Sequence, residues 1–345
     1  MVFFPAFERG SVMKESLLQR CETQVRNEEV MRKAGVFEYE IVHKLCAMMH
    51  VNAGREIDIE RIKDCNRILK EKAGILSNFR GTLQRIVVVK MSLADDPAKY
   101  MDDVMDVYGQ LKDGTMLPGE MVAMAATTIV ENCPMDQRDR IVKNTKETYR
   151  KLKELHPFLI DEKALSLISL MIMAGKDPDQ AVEEAEGIFQ TMKKGYKISP
   201  STAQSLAMVL SLSDKPVDLK VEKLFALYEA LKAAKHETAK DKTMVVYSAF
   251  TDVDYDLAGT VTAIGEVEDW LKGKPGYGPL SIGMSERRMF AAMIVLEDLQ
   301  KNNMVAISQS VSGAVIQTVV EELVLILVML IITSIIISST VVTSF

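Results

Sequence analysis

The sequence has little of what common enzymes and secreted proteins use. Its 345 residues include four cysteines, four histidines and one tryptophan, and no two cysteines form a C-x-x-C pair. This composition predicts no disulfide framework and fits a reducing compartment. The sequence also lacks G-x-S-x-G, H-E-x-x-H and the protein-kinase motifs. No motif therefore assigns a reaction, and we expect neither an enzyme nor a cofactor.

An excess of basic charge is also missing. The chain has 42 Lys and Arg residues against 48 Asp and Glu residues, which gives a net charge of −6. Proteins that bind nucleic acid need a basic surface to neutralise phosphates, so we expect no nucleic-acid partner. A hydrophobic fraction of 48% excludes an intrinsically disordered chain.

Charge is absent from the C-terminal segment, which runs from Leu323 through Ile332 and Ile337 to Phe345. A helix that spans a bilayer needs about 20 apolar residues. The segment therefore predicts an apolar transmembrane helix that anchors a cytoplasmic protein by its tail. It has no basic flank and no Trp or Tyr belt. Its Ile, Val, Thr and Ser residues also favour strand pairing, so a packed or self-associating tail is the alternative.

The N-terminal residues 1–12 do not resemble a signal peptide, because they lack a basic start and Pro5 interrupts them. Met13 opens the first amphipathic stretch and is our hypothesis for the true start. We expect residues 1–12 to lie outside the folded domain.

The middle of the chain is a repeat. A Leu-Lys or Met-Lys pair recurs six times between Leu69 and Leu271, in steps of 39 to 42 residues. Each unit predicts an amphipathic helix followed by a helix that is apolar nearly all round. The first helices should form an outer, half-solvated layer, and the second helices should form an inner, buried layer. The stretch IVVVKM at Ile86 has high β propensity, but it falls in a second-helix position and we predict a helix there.

This period is typical of stacked helical hairpins. It is closer to the period of HEAT and armadillo repeats than to the 34-residue period of tetratricopeptide repeats. The predicted fold is all-α, an α-solenoid of about seven stacked hairpins with a period of about 40 residues. We assign the helical-repeat domain to residues 13–300 as one elongated body. A linker or amphipathic segment covers 301–322, and the apolar C-terminal helix covers 323–345.

One helix carries a candidate metal site. Glu40 and His43 form an E-x-x-H, and Cys46 and His50 continue on the same face of the helix. These four side chains could converge on a metal ion. The alternative is a packing face in which Cys46 acts as a small hydrophobic residue.

Four arginines form a candidate anion or partner site. When the repeats are superposed, Arg85 falls within one residue of Arg288, and Arg80 and Arg287 lie beside them in sequence. Guanidinium groups bind phosphates and acidic partners. The alternative is that they are solvated residues at loops and helix ends. The Gly-rich run from Lys272 holds a single G-x-G with no preceding strand, so it predicts a hairpin loop and no nucleotide site.

Several stretches resemble an uncharacterised bacterial family, the domain of unknown function four thousand and three. They include RNEEVMRKAGVFEYEIVHKLCA from Arg26, the stretch GREIDIERIKDCNRILKEKAGILSNFRGTLQRIVVVKMSLADDP from Gly54, VEKLFALYEALKAA from Val221 and SIGMSERRMFAAM from Ser281. The resemblance covers about 13–299. It implies no catalytic or binding residues.

These observations favour a helical-repeat interaction or scaffold protein with a protein partner, held at the cytoplasmic face of a membrane by its tail. The rival is a soluble helical metal-binding protein or enzyme that uses Glu40, His43 and His50. A third hypothesis is a soluble scaffold that self-assembles through the tail.

Overall fold

The computed structural model of the protein describes residues 13–34, 40–74, 79, 81–113, 119–239, 242–278 and 281–307. In these ranges the chain forms thirteen α-helices and three 3-10 helices, and no strand. The all-α prediction is therefore confirmed for the described part of the chain.

The helices follow one another in packed pairs. The pairs are α1 (Glu15–Ala34) with α2 (Glu40–Asn52), α3 (Ile59–Ala73) with α4 (Gly81–Leu93), α5 (Pro97–Lys112) with α6 (Gly119–Asn132), α7 (Arg138–Leu155) with α8 (Leu165–Met173), α9 (Pro178–Gly195) with α10 (Pro200–Leu210), α11 (Val217–Ala233) with the long 3-10 helix (Lys242–Asp252), and α12 (Leu257–Lys272) with α13 (Met284–Ile307). Two short 3-10 helices, Met135–Gln137 and Glu162–Ala164, precede α7 and α8.

Asp-Pro pairs begin two of the first helices, as their sequence predicts. The Asp96 carboxylate accepts hydrogen bonds from the backbone N–H groups of Ala98 and Lys99 at the start of α5. Asp177 caps α9 in the same way, and the Gln180 side chain accepts from the Asp177 backbone N–H to complete a capping box. These caps fix where the chain re-enters a helix after each turn.

The two helices of a pair differ in burial. In α7, only the stripe of Ile141, Val142, Thr145, Thr148 and Leu152 is buried. In α8, every residue from Leu165 to Ile172 is buried. A helix that is apolar on all sides needs neighbours on all sides, and the pairing supplies them. The β-rich stretch at Ile86 lies within α4, so packing outweighs its strand propensity.

Neighbouring pairs pack against each other along the chain. The second helices contact in the order α2, α4, α6, α8, α10, the long 3-10 helix and α13. The first helices from α3 to α12 contact in the same sequential order. In addition, α1 packs against α12 and α13. The first and last helix pairs of the described residues therefore meet, which differs from the elongated body that the sequence predicts.

The predicted domain boundary at residue 300 falls inside α13, which continues to Ile307. Residues 1–12 and 308–345 lie outside the described residues, so the tail with Leu323, Ile332 and Ile337 stays a prediction. Among the helices that the structure describes, none combines the length and hydropathy that a bilayer crossing requires.

Candidate functional site

The surface where the two chain ends meet, here called the closing interface, joins α1 and α2 to the segment from α12 to α13. The Gly-rich loop makes the closest approach. Gly276 has φ of +80°, and a Cβ on it would lie 2.8 Å from both Arg32 Nη2 and Lys44 Nζ. This position therefore accepts glycine alone. The G-x-G serves as a contact between backbone and charged side chains, consistent with the predicted hairpin loop.

A buried ion pair fills the centre of the closing interface. Lys44 Nζ lies 2.8 Å from Glu28 Oε2, and both side chains are fully buried. The Tyr277 hydroxyl donates to Glu28 Oε1 at 2.5 Å, and the Lys44 ammonium lies 3.7 Å from the Tyr277 ring centroid. Gln24 Nε2 donates to the same carboxylate at 2.9 Å. Every polar group at this centre is therefore supplied with a partner from the chain itself.

Burial sets the protonation of this centre. It disfavours the ammonium and holds the pKa of Lys44 below its usual value, although the Glu28 carboxylate acts in the opposite direction. Burial together with the Glu28 charge raises the pKa of Tyr277 well above its usual value. Tyr277 is therefore a neutral hydrogen-bond donor at physiological pH.

A second buried ion pair crosses the closing interface from α1 to α13. Arg20 Nη1 lies 2.9 Å from Glu297 Oε2, and both side chains are buried. Asn52 completes the group, because its amide donates to Glu297 at 2.5 Å and its carbonyl oxygen accepts from Arg20 at 3.1 Å. Arg20 and Asn52 belong to the first pair and Glu297 belongs to the last, so this group closes the molecule.

The predicted metal ligands point to different partners. Glu40 accepts two hydrogen bonds from Arg32, at 2.7 and 2.9 Å. Burial raises the pKa of the Cys46 thiol far above its usual value, so the sulfur stays protonated. His43 is buried, and His50 Nδ1 donates to the Cys46 carbonyl. Within the described ranges, no three His, Cys, Asp or Glu side chains come together as a metal site.

Two of the predicted anion-binding arginines bind an anion that the chain supplies. The Glu268 carboxylate, which is buried, accepts from Arg287 Nη2 at 3.2 Å and from Arg288 Nε at 3.1 Å. His236 Nδ1 lies 2.7 Å from the same carboxylate. Arg288 also donates to the Glu237 carbonyl at 2.6 Å. This cluster ties the last loop to the segment that follows α11.

The electrostatics of Glu268 follow from these contacts. Burial by itself raises its pKa, but the hydrogen bond from His236 and the charges of Arg288 and His236 outweigh that effect. The pKa of Glu268 therefore lies below its usual value of 4.5. The carboxylate stays ionised at neutral pH and forms ion pairs with both Arg287 and Arg288.

The other two predicted arginines are Arg85 and Arg80. Arg85 lies half-buried within α4, and Arg80 falls outside the described residues. The pairing of Arg85 with Arg288 across the repeats stays a prediction.

A cleft lies near the helix of the predicted metal site, and no sequence motif predicts it. Its volume is about 410 Å³, and it opens between the ends of α2 and α4, with His50, Arg55, Asp58 and Arg61 among its lining residues. The sequence indicates His50 only as a candidate metal ligand. The signal available in the sequence was the cluster of charged residues in the turn that follows His50, from Arg55 to Asp58.

Comparison with known proteins gives one match. Residues 27–328 match the model of a family described as a protein of unknown function, DUF4003. No curated protein and no solved structure matches the chain. The match begins at Asn27, so it covers the closing interface except for the first twelve residues of α1, which include Arg20 and Gln24.

Replacing Glu268 by Gln is expected to lower the free energy of unfolding by about 3–5 kcal/mol, because it leaves the buried guanidinium group of Arg287 without its carboxylate partner. Asp269→Asn, an exposed neighbour on the same helix, is the matched control and should change it by less than about 0.5 kcal/mol. Urea unfolding at neutral pH measures both.

The same pair of variants tests the pH dependence. Because the folded pKa of Glu268 lies below the unfolded value of 4.5, its stabilisation is complete above that pH and is lost as the pH falls through the folded pKa. Wild type and Asp269→Asn should therefore lose stability in this acid range more steeply than Glu268→Gln. Equal slopes for all three chains would contradict the assigned role of Glu268.

Proposed function

Since the chain belongs to the family of proteins of unknown function DUF4003, we propose a function from its own structure. We infer that the protein is a helical-repeat interaction protein, with a tail that holds it at the cytoplasmic face of a membrane.

The proposed architecture is a solenoid of seven helical hairpins whose first and last members are joined. The sequential packing of the pairs supports it, as does the contact of α1 with α12 and α13. Repeats that contact only their neighbours leave their outer edges and turns free to vary. Such a body displays many loops on one rigid frame, which suits it to recognise a protein partner.

The proposal rests on one observation, an aromatic side chain that is fully exposed to solvent. Phe158 is 100% exposed in the turn between α7 and α8, and Leu155 beside it is 51% exposed. The turn is held in place, because Lys153 Nζ donates to the Pro157 carbonyl at 2.7 Å and the Ile160 side chain beyond it is buried. A fully exposed aromatic ring on a preorganised turn is typical of a binding hot spot.

The membrane part of the proposal comes from the C-terminal segment. It is long enough to span a bilayer and carries no charge from residue 323 onward. The helix α13, which ends at Ile307, is one face of the closing interface. An anchored tail would therefore follow, after residues 308–322, the helix that forms one face of the closing interface.

Replacing Phe158 by Ser is expected to weaken the binding of the partner about ten- to a hundredfold, because burial of a Phe side chain contributes about 1.5–3 kcal/mol. Affinity capture with quantitative mass spectrometry from the source cells measures this. Met135→Ser, at a side chain that is 62% exposed elsewhere on the surface, is the matched control. The proposal predicts a protein retained by wild type and Met135→Ser and depleted with Phe158→Ser. An identical set of captured proteins for all three chains would count against it.

Ending the chain at Glu322 is expected to move the protein from the membrane pellet to the supernatant after high-speed centrifugation of a cell lysate. The full chain should pellet and should be released by nonionic detergent, whereas an aggregate would resist the detergent. A full chain that stays in the supernatant, or a pellet that detergent does not dissolve, would overturn the anchor.

A further inference from the structure

The cleft of about 410 Å³ lies at the turn between the first two helix pairs. It is bounded by the C-terminal ends of α2 and α4, by the turn that holds Arg55 and Glu56, and by the start of α3. Its volume falls in the range of sites that take small ligands. It lies apart from Phe158, so the inference that follows is independent of the proposed function.

His50 sits at the inner wall of the cleft and is only 2% exposed. Its Nδ1 lies 2.9 Å from the Cys46 carbonyl oxygen, which can only accept, so Nδ1 carries the proton. Burial lowers the pKa of His50 and keeps the ring neutral. Nε2 then presents a lone pair, and no group in the described part of the chain donates to it. The cleft therefore contains a hydrogen-bond acceptor that lacks a donor.

The two arginines of the cleft are already engaged. Arg61 donates from Nε to the Ser92 carbonyl at 2.7 Å and from Nη2 to the Ala94 carbonyl at 2.5 Å. Arg55 donates to the Leu93 carbonyl at 2.8 Å. These bonds satisfy the free carbonyls at the C-terminal end of α4. The guanidinium groups thus hold the wall of the cleft in place.

The remaining charge of the cleft is negative. Asp95 lines the cleft and pairs with Arg55 at 3.3 Å. The carboxylates of Glu56 and Asp58 then outnumber the one remaining guanidinium group, that of Arg61. A cation is therefore favoured over an anion. Because no three metal-ligating side chains gather in the described residues, an organic cation suits the cleft better than a metal ion.

We propose that this cleft binds a primary ammonium group. One N–H of the ammonium donates to His50 Nε2, and the positive charge faces the acidic rim that Glu56 and Asp58 form. An ammonium group combines N–H donors with a positive charge, which matches the His50 acceptor and this rim. A free alkyl diamine and a lysine side chain of a peptide carry the same group on the same kind of apolar stem.

Isothermal titration of the full chain in nonionic detergent tests the proposal with 1,4-diaminobutane as the probe. Binding is expected. Tetramethylammonium has the same charge without an N–H donor, and it should bind at least about tenfold more weakly. Butyrate, the anionic control, should not bind. Absence of diaminobutane binding, or equal binding of tetramethylammonium or butyrate, would overturn the proposal.

A parallel titration with Nα-acetyl-lysine amide distinguishes the two sources of the ammonium group. Tighter binding than diaminobutane identifies a lysine side chain as the ligand, and weaker binding identifies a free amine. Either result supports an ammonium site, provided that diaminobutane itself binds.

Variants locate the site. Asp58→Asn keeps the N-cap of α3, because Asn also caps helices, but it removes the negative charge. It should weaken binding severalfold. Asp96→Asn makes the same substitution at the N-cap of α5, outside the cleft lining, and should leave binding unchanged. Equal affinity of these two variants would overturn the assignment.

His50→Asn tests the acceptor itself. Asn retains a side-chain N–H that can reach the Cys46 carbonyl but places no acceptor at the position of Nε2. We expect diaminobutane binding to fall at least about tenfold, with circular dichroism showing the same helix content as wild type. If this variant fails to fold, the comparison of the Asp58 and Asp96 variants still decides the outcome.

Discussion

The buried charge at the closing interface is the constraint on which the rest of the fold depends. Lys44, Glu28, Arg20 and Glu297 are all withdrawn from water where the first and last helix pairs meet. Removing ions from water costs several kcal/mol for each ion, and partners within about 3 Å recover that cost only in one geometry. A misplaced last pair would separate Arg20 from Glu297 and would remove the Tyr277 hydroxyl from Glu28. We infer that the polar groups select one closed arrangement from the many that apolar packing alone would tolerate.

Much of the fold could be predicted from local pattern. The period of about 40 residues predicts helix pairs, and the Asp-Pro dipeptides at Asp96 and Asp177 predict where two of the helices begin. These predictions hold because each pattern depends only on residues within one or two turns of a helix. The closure could not be predicted in this way. Tyr277 and Glu28 are separated by 249 residues, and nothing in the local sequence of either one indicates the other.

The candidate sites show the same limit. The spacing of Glu40, His43, Cys46 and His50 correctly places them on one helix, but spacing says nothing of Arg32, which approaches from α1 and binds Glu40. Arg287 and Arg288 are predicted to bind an anion, and in the structure both donate to the Glu268 carboxylate. The carboxylate lies on α12, 19 and 20 residues earlier, where it resembles an ordinary helix-surface residue in the sequence.

The central claim is that the first and last helix pairs are locked together through buried charge. A double-mutant cycle on Arg20→Met and Glu297→Gln, measured by urea unfolding of the full chain, tests it most directly, because 277 residues separate the two positions along the chain. Contact between them predicts a coupling energy of about 1–3 kcal/mol. Additive effects, equal to the sum of the single variants within about 0.5 kcal/mol, would contradict the closed arrangement.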